Sequence, residues 1–280
     1  MRERKIEQLK EILAAFETGT YQTDSGTAHV RLSEEQIFQA EVFLPGRIAY
    51  LTPENTVTEK NGQCVFSCRN TDSYAMAMEM LENNPDEPVL VLNLANPVNP
   101  GGGVRRGAAA QEEDLCRKSS LLLNLEGEQA LPYYAYNRSL NTYMGSDAVI
   151  ISPYVEIIRD PSGRLFSPSV IVSVMTCAAP MIRYGLEGMT KEEYNHMLYR
   201  RIEGMLKCAA AKGYRRLVLG AFGCGAFAND AADVAPVFKE VFDRFDFGAR
   251  TDELFDEIVF AVLCTRDLYN YNVFSEYFGR

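Results

Sequence analysis

Residues 92–113 read LNLANPVNPGGGVRRGAAAQEE. They leave an apolar run, Val89-Leu90-Val91-Leu92, whose uninterrupted character predicts a buried strand over 89–94. The chain then loses its side chains at Gly101, Gly102 and Gly103, and a short spacer later it offers Gln111, Glu112 and Glu113. Successive glycines permit positive φ and let a ligand come close to main-chain N–H groups. Two adjacent carboxyls beside such a backbone can supply a proton donor and a second group that positions the bond under attack.

On the N-terminal side, Ile6, Leu9, Ile12, Leu13 and Phe16 recur at helical spacing over residues 5–17 and stop near Gly19, which predicts an amphipathic helix. Residues 20–33 are polar and turn-rich, and 31–36 can open a short helix. Residues 47–51 (RIAYL) and 63–67 (QCVFS) read as strands. The segment NTDS at 70–73 supplies an N-cap for a methionine-rich helix running to about Leu81.

On the C-terminal side, a helix is expected from Glu113 to about Leu125, then a tyrosine-rich loop at 131–137. One of its tyrosines is a candidate to stack on a base, although packing onto a core is the commoner use of such clusters. Residues 148–151 and 154–159 read as two strands, Asp160-Pro-Ser-Gly163 as a hairpin turn, and 170–174 as another buried strand. Residues 191–211 form the clearest helix, ending at Gly213. A strand at 216–220 runs into AFGCGAF at 221–227, and Asn229-Asp230 caps a helix to about Phe242. Residues 257–262 read as the last core strand, before a short helix with Phe274 and Phe278. Strands alternating with helices indicate an α/β sheet with its site at strand ends. No repeat, linker or composition break is visible, so one domain over residues 1–280 is the expectation.

Composition narrows the function. The formal charge is −10, whereas a duplex-binding protein shows a basic face or high pI; direct nucleic-acid binding is not expected. The same balance repels a polyanion at long range, so recognition of one has to be local. No apolar run approaches the roughly 18 residues of a membrane span, and the charged start MRERKIE has no apolar signal core. Seven scattered cysteines are an odd number and fit a reducing, cytoplasmic setting. Cys64 and Cys68 are four apart, but neither His29 nor His196 lies near them, so no zinc or other metal site is expected.

Two motif readings compete. Gly223-Cys224-Gly225-Ala226-Phe227-Ala228 satisfies GxGxxA between a strand and a helix, but it comes late in the chain and lacks a clear acid after a following strand. A nicotinamide-dependent oxidoreductase is therefore the weaker reading, and no GK[ST] supports a P-loop. What both glycine clusters share is a strand end leading into a helix, where exposed N–H groups favour phosphate oxygens. Two such loops at neighbouring strand tips would clamp a diphosphate.

The arrangement of GGG, a short spacer and QEE is the signature of the poly(ADP-ribose) glycohydrolases, and in a chain of this length it resembles the compact microbial type. Similar segments are Thr18-Gly19-Thr20-Tyr21, QEEDLCRKSS at 111–120 and LGAFGCGAF at 219–227. The resemblance implies a macrodomain-like α/β fold, a mixed β-sheet sandwiched between helices, with an added N-terminal helical extension over residues 1–45. It implies Glu113 as catalytic acid, and Glu112 as the group that holds the ribose hydroxyls. It places Asn99, Gly101, Gly102, Gly103, Gln111, Gly223, Cys224, Gly225, Ala226 and Phe227 at the substrate, with Asn99 and Phe227 beside a ribose and Gln111 anchoring the loop. The implied reaction is hydrolysis of ribose–ribose O-glycosidic bonds in poly(ADP-ribose), or action on an ADP-ribosylated protein, with ADP-ribose as product ligand and no cofactor. A general acid at neutral pH needs a raised pKa, which a water-poor cleft and the adjacent Glu112 charge would supply. The alternative is a macrodomain that binds ADP-ribose without catalysis or acts on single units.

Overall fold

The computed structural model describes residues 2–52 and 63–279. The N-terminal stripe forms α1 (Arg2–Thr18), which buries Leu9, Ile12, Ala15 and Phe16 and is closed by Gly19 at φ +73°. The polar segment after it holds an antiparallel hairpin of β1 (Thr20–Thr23) and β2 (Gly26–His29), with Tyr21 opposite Ala28. Ser33 caps α2 (Glu34–Phe38) in a capping box with Gln36, and β3 (Glu41–Phe43) follows. Residues 47–51, expected as a strand, instead belong to α3 (Pro45–Ile48) and the turn behind it. Pro45 decides this, because its fixed φ suits the start of a helix. The strand expected at 63–67 is β4 (Val65–Arg69), and Asp72 accepts from Ala75 N at 2.8 Å to start α4 (Ser73–Asn83). β5 (Val89–Leu94) runs straight to the glycine loop.

The helix expected from Glu113 to Leu125 is two helices, α5 (Gln111–Cys116) and α6 (Leu121–Glu126). Between them the chain pairs with a strand: Ser119 bridges Ile157, Ser120 N donates to Glu156 O at 3.1 Å, and Ser120 Oγ accepts from Glu156 N at 3.0 Å. The tyrosine-rich segment is α7 (Leu131–Ser139) and not a loop, with Tyr133 and Tyr134 wholly buried and their rings edge to face, 5.0 Å between centroids. The two strands expected over 148–159 are one, β6 (Val149–Arg159), whose pairing shifts register between Ser152 and Val155. Pro153 lies at that shift and has no N–H to give to a ladder. The Asp160 turn closes with Gly163 N on Asp160 O at 3.0 Å and leads into β7 (Leu165–Cys177). Then come α8 (Lys191–Ala211), β8 (Arg216–Leu219), α9 (Ala231–Arg244), a short unexpected α10 (Thr251–Leu254), β9 (Glu257–Ala261) and α11 (Tyr269–Phe278).

Among the described residues, seven strands form one mixed sheet in the order β3-β6-β7-β5-β8-β9-β4, antiparallel from β3 to β7 and parallel from β7 to β4. Strand alternation feeds two cores. Leu90, Leu92, Leu217, Leu219, Ile258 and Phe260 pack against α8, α9 and α11, while Val89, Val91, Val218 and Val259 pack against α4, α6 and α7. Helices thus cover both faces, and the parallel strands β5, β8 and β9 end together at one edge. No helix among the described residues is long and apolar enough to cross a membrane.

The N-terminal segment is tied to this framework at two places. Arg2 Nε donates to Arg106 O at 2.7 Å, and a Cβ at Gly107 would meet Arg2 and Ile6, so α1 braces the turn behind the glycine loop. Further on, the buried Glu156 carboxylate accepts from Arg31 N and Leu32 N at 3.0 Å and from Ser169 Oγ at 2.6 Å. Removing the acceptor strands three donors in the interior. Glu156→Leu is therefore expected to lower stability by about 3–5 kcal/mol, read as a shifted urea midpoint at unchanged slope; a shift under about 1 kcal/mol would show that this clamp is not needed.

Candidate active site

Gln111 fixes the geometry. Its Oε1 accepts from Leu94 N at 2.8 Å, while its Nε2 donates to Leu92 O at 2.7 Å and Ser73 Oγ at 3.1 Å. One side-chain amide thus extends the β5 hydrogen bonding and pins the first residue of α5 to the strand end. The next two residues are carried to the same edge. Glu113 accepts from Gly103 N on Oε1 and from Ala110 N on Oε2, both at 2.8 Å. Glu112 accepts from Asn96 N on Oε2 at 2.7 Å, with Asn93 Nδ2 3.5 Å from Oε1. Both carboxyls are buried.

The three glycines are explained by what surrounds them. A Cβ at Gly102, where φ is +57°, would stand 2.6 Å from Glu113 Oε1 and 3.0 Å from Glu112 Oε2. At Gly101 (φ +65°) it would meet Leu122 Cδ1 at 2.6 Å, and at Gly103 the Ala108 Cβ at 2.8 Å. The space they leave is filled by the carboxylates and by the packing of the loop on α6.

The second glycine loop follows β8. Gly223 has φ +75°, and a Cβ there would collide with Asn229 Nδ2 and Ala179. Asn229 Nδ2 donates to Pro180 O at 2.8 Å and Gly223 O at 3.0 Å, while its Oδ1 accepts from Tyr194 OH at 2.6 Å. The loop is thus held from beneath by α8, and Asn270 of α11 reaches Cys224 O at 3.3 Å from the other side. Gly225 has open space around it.

Between the start of α5 and the loop after β8 lies a cleft of about 620 Å³, within the size range of small-ligand sites. Gln111, Glu112, Glu113 and the run Gly223, Cys224, Gly225, Ala226 and Phe227 line it, so the structure brings together both sequence clusters. Asn99, Gly101, Gly102 and Gly103 are not in its wall. Asn99 is exposed, its N–H on Asn96 Oδ1 at 2.9 Å and its carbonyl accepting from Gly102 N at 2.9 Å. Asn96 lines the cleft instead, as do Leu263, Thr265 and Asn270 beyond β9, none of which the sequence singled out. Asn96-Pro97 and Asn99-Pro100 are the same dipeptide three residues apart, and only the turn between them distinguishes their directions. The β9 residues had a signal, since a parallel neighbour of β8 must end at the same edge. Among the described residues no group of His, Cys, Asp and Glu converges to hold a metal ion.

Burial pushes the Glu112 carboxyl up to about 8; the nearby Glu113 charge adds to this, and the Asn96 N–H works against it. At neutral pH the floor of the cleft therefore holds a proton on Glu112, so the neighbouring Glu112 charge expected to act on Glu113 is not there; burial removes it.

The model of the microbial-type PARG catalytic domain matches residues 10–160 of this chain. Among solved structures, the poly(ADP-ribose) glycohydrolase of Thermomonospora curvata bound to the inhibitor ADP-HPD is similar at a TM-score of 0.86 and 31% identity, over 99% of this chain and 100% of that one. The poly(ADP-ribose) glycohydrolase of Deinococcus radiodurans in complex with ADP-ribose is similar at a TM-score of 0.77 and 32% identity, over 88% of this chain and 97% of that one. Comparison with curated proteins gave no match.

A carboxyl whose folded-state pKa lies above its unfolded value keeps its proton longer in the folded chain. Its burial costs nothing below the unfolded value of 4.5, and the cost grows as pH rises toward about 8. Wild type is thus expected to lose stability relative to Glu112→Gln between pH 5 and pH 8, by on the order of 4 kcal/mol, in denaturant titrations across that range. Parallel curves for the two proteins would refute the shift.

Proposed function

The chain belongs to the microbial-type poly(ADP-ribose) glycohydrolase family, and we propose that its cleft hydrolyses ribose–ribose O-glycosidic bonds with Glu113 as the general acid and base. The observation that carries this reading is the buried Glu112–Glu113 pair on the wall of a cleft whose other wall is the Gly223 loop. A terminal ADP-ribose unit lies with its diphosphate along residues 223–227 and its distal ribose over the acids.

Glu113 gives its proton to the departing 2′-oxygen as the C–O bond breaks and positive charge grows at the anomeric carbon. The substrate diphosphate stabilises that charge. The Glu113 carboxylate then takes a proton from water, whose oxygen bonds to the anomeric carbon, and free ADP-ribose leaves with the acid restored. Hydrogen bonds from Gly103 N and Ala110 N fix the side chain without using all of its oxygen lone pairs, so a protonated form retains its place. Glu112 orients the ribose hydroxyls and does not attack, which separates this scheme from two-carboxylate glycosidases. Its raised pKa makes it donor as well as acceptor at neutral pH, and it brings a proton beside Glu113.

The whole of residues 1–280 is taken as one catalytic domain, because the 1–45 extension contributes Lys5 to the cleft wall and braces Arg106 behind the glycine loop. Cys68, Cys116, Cys177, Cys208, Cys224 and Cys264 are free thiols, which fits a cytoplasmic site of action.

Release of ADP-ribose from poly(ADP-ribose) tests the assignment. Glu113→Gln is expected to lose about 10²–10⁴-fold in rate while still binding ADP-ribose in calorimetry. Turnover at the wild-type rate would remove Glu113 from the reaction; binding without release by either protein would make the domain a reader of the modification. Gly102→Ala, which drives a methyl into both carboxylates, is expected to cost at least about tenfold in rate, with ADP-ribose affinity changing less than turnover.

A further inference from the structure

Outside the cleft the structure carries a feature that the reaction so far leaves unused. Tyr143 and Tyr184 are 52% and 69% exposed, and their rings lie against each other with centroids 5.1 Å apart. They come from separate loops, one after α7 and one after β7. We propose that this pair is a stacking subsite for the adenine of the ADP-ribose unit on the leaving side of the scissile bond, a reading that rests on the glycohydrolase assignment above.

The position of the pair supports this. The β7 loop lines the cleft at Ala179, and Ile182 N donates to Phe227 O at 3.0 Å, so Tyr184 is two residues from a direct tie to the second glycine loop. The Tyr143 loop is joined to it by Met181 N on Tyr143 O at 3.1 Å. It is braced again by Glu187, which accepts from Tyr143 N at 3.0 Å and from Thr142 Oγ1. Two aromatic rings left half in water are thus held by backbone that is tied to the cleft-lining residue Phe227, and the subsite requires the leaving chain to run over them. A tyrosine buried for stability alone would gain more by turning inward, as Tyr133 and Tyr134 do.

Charge points the same way. Arg183, next to Tyr184, is exposed and has no partner among the described residues. Arg138 holds Val98 O at 2.8 and 3.0 Å, a carbonyl that leaves its charge uncompensated, two residues from Asn96. In a chain of net charge −10, one of these cations adjoins Tyr184 in sequence and the other lies five residues before Tyr143. Aromatic faces that take bases, interleaved with cations that take phosphates, are how proteins follow a single polyanionic strand. Poly(ADP-ribose) presents both groups in every unit. The rings already touch, so no base fits between them; the adenine lies on the outer face of Tyr184, and the diphosphate of that unit meets Arg183.

Kinetics on two substrates test the subsite: poly(ADP-ribose), and an aryl glycoside of ADP-ribose that has no leaving-side unit. Tyr184→Ala is expected to raise KM for the polymer about fivefold to tenfold, with kcat kept, while kinetics on the aryl glycoside match wild type. Tyr184→Phe should restore polymer KM, and Arg183→Gln should weaken its dependence on salt. Equal losses on both substrates, or an unchanged polymer KM in the Tyr143→Ala/Tyr184→Ala protein, would overturn the subsite while leaving the glycohydrolase assignment standing. A wild-type protein that cleaves neither substrate would overturn both.

Discussion

The structure depends on holding two carboxyls out of water against one turn of backbone. Each is costly to bury alone, and each is satisfied by main-chain donors: Gly103 and Ala110 for Glu113, Asn96 for Glu112. Those donors converge only if the chain between Asn96 and Ala110 folds over the acids with no side chain in the way. That requirement falls on Gly102, where both the left-handed φ and the 2.6 Å approach to Glu113 leave no room for a methyl. The glycines therefore serve the acids first. Of the two glycine loops it is the one after β8 that lines the cleft, and Gly225 there has open space around it.

Everything else in the fold delivers that turn to the right place. β5 is buried on both faces between helix layers, so its end is a fixed point, and Gln111 transfers that fixity to the acids by bonding into the strand's own backbone at Leu92 and Leu94. The parallel neighbours β8 and β9 stop at the same edge, which puts the glycine loop at 223 and the residues from Leu263 to Asn270 opposite the acids without further machinery. Parallel strands all leave the sheet in one direction, and a cleft at that edge follows from the topology. The N-terminal segment acts as a brace for the loop, through Arg2 on Arg106, and not as an appendage.

The sequence revealed this framework unevenly, for physical reasons. Elements with a strong period and a clean cap, such as α4 after Asp72 and α8 between Thr190 and Gly213, were plain from local chemistry alone. The acids and glycines were readable because their spacing is unusual. What escaped were features decided at a distance. Residues 117–120 leave helix because Glu156 offers a strand edge to pair with, and nothing local announces that. Pro45 turns the strand-like stretch RIAYL into a helix end and the turn behind it. The β1–β2 hairpin is nearly all polar because only Tyr21 and Ala28 face the core. Asn93, the one polar residue in β5, lies wholly buried between Thr176 and Glu112. Its choice makes sense only once the acid beside it is known, and Asn96 shares the difficulty.

An acidic protein acting on a polyanion faces a long-range repulsion that a basic surface would remove. This fold accepts the repulsion and answers it at short range. Over distances longer than the Debye length of roughly 8 Å at physiological salt, the net charge is screened. Inside the cleft what matters is the direction of nearby dipoles and donors: N–H groups and amides, with Lys5 on the wall and with Arg117 and Lys118 already paired to Asp114. Donors held at fixed positions also discriminate among polyanions, which a diffuse basic surface does not. The acids add to that selectivity, since a buried Glu112 that keeps its proton to about pH 8 adds no negative charge of its own at neutral pH. The burial that raises its pKa is thus the same property that lets a carboxyl pair sit beside a substrate carrying two phosphates.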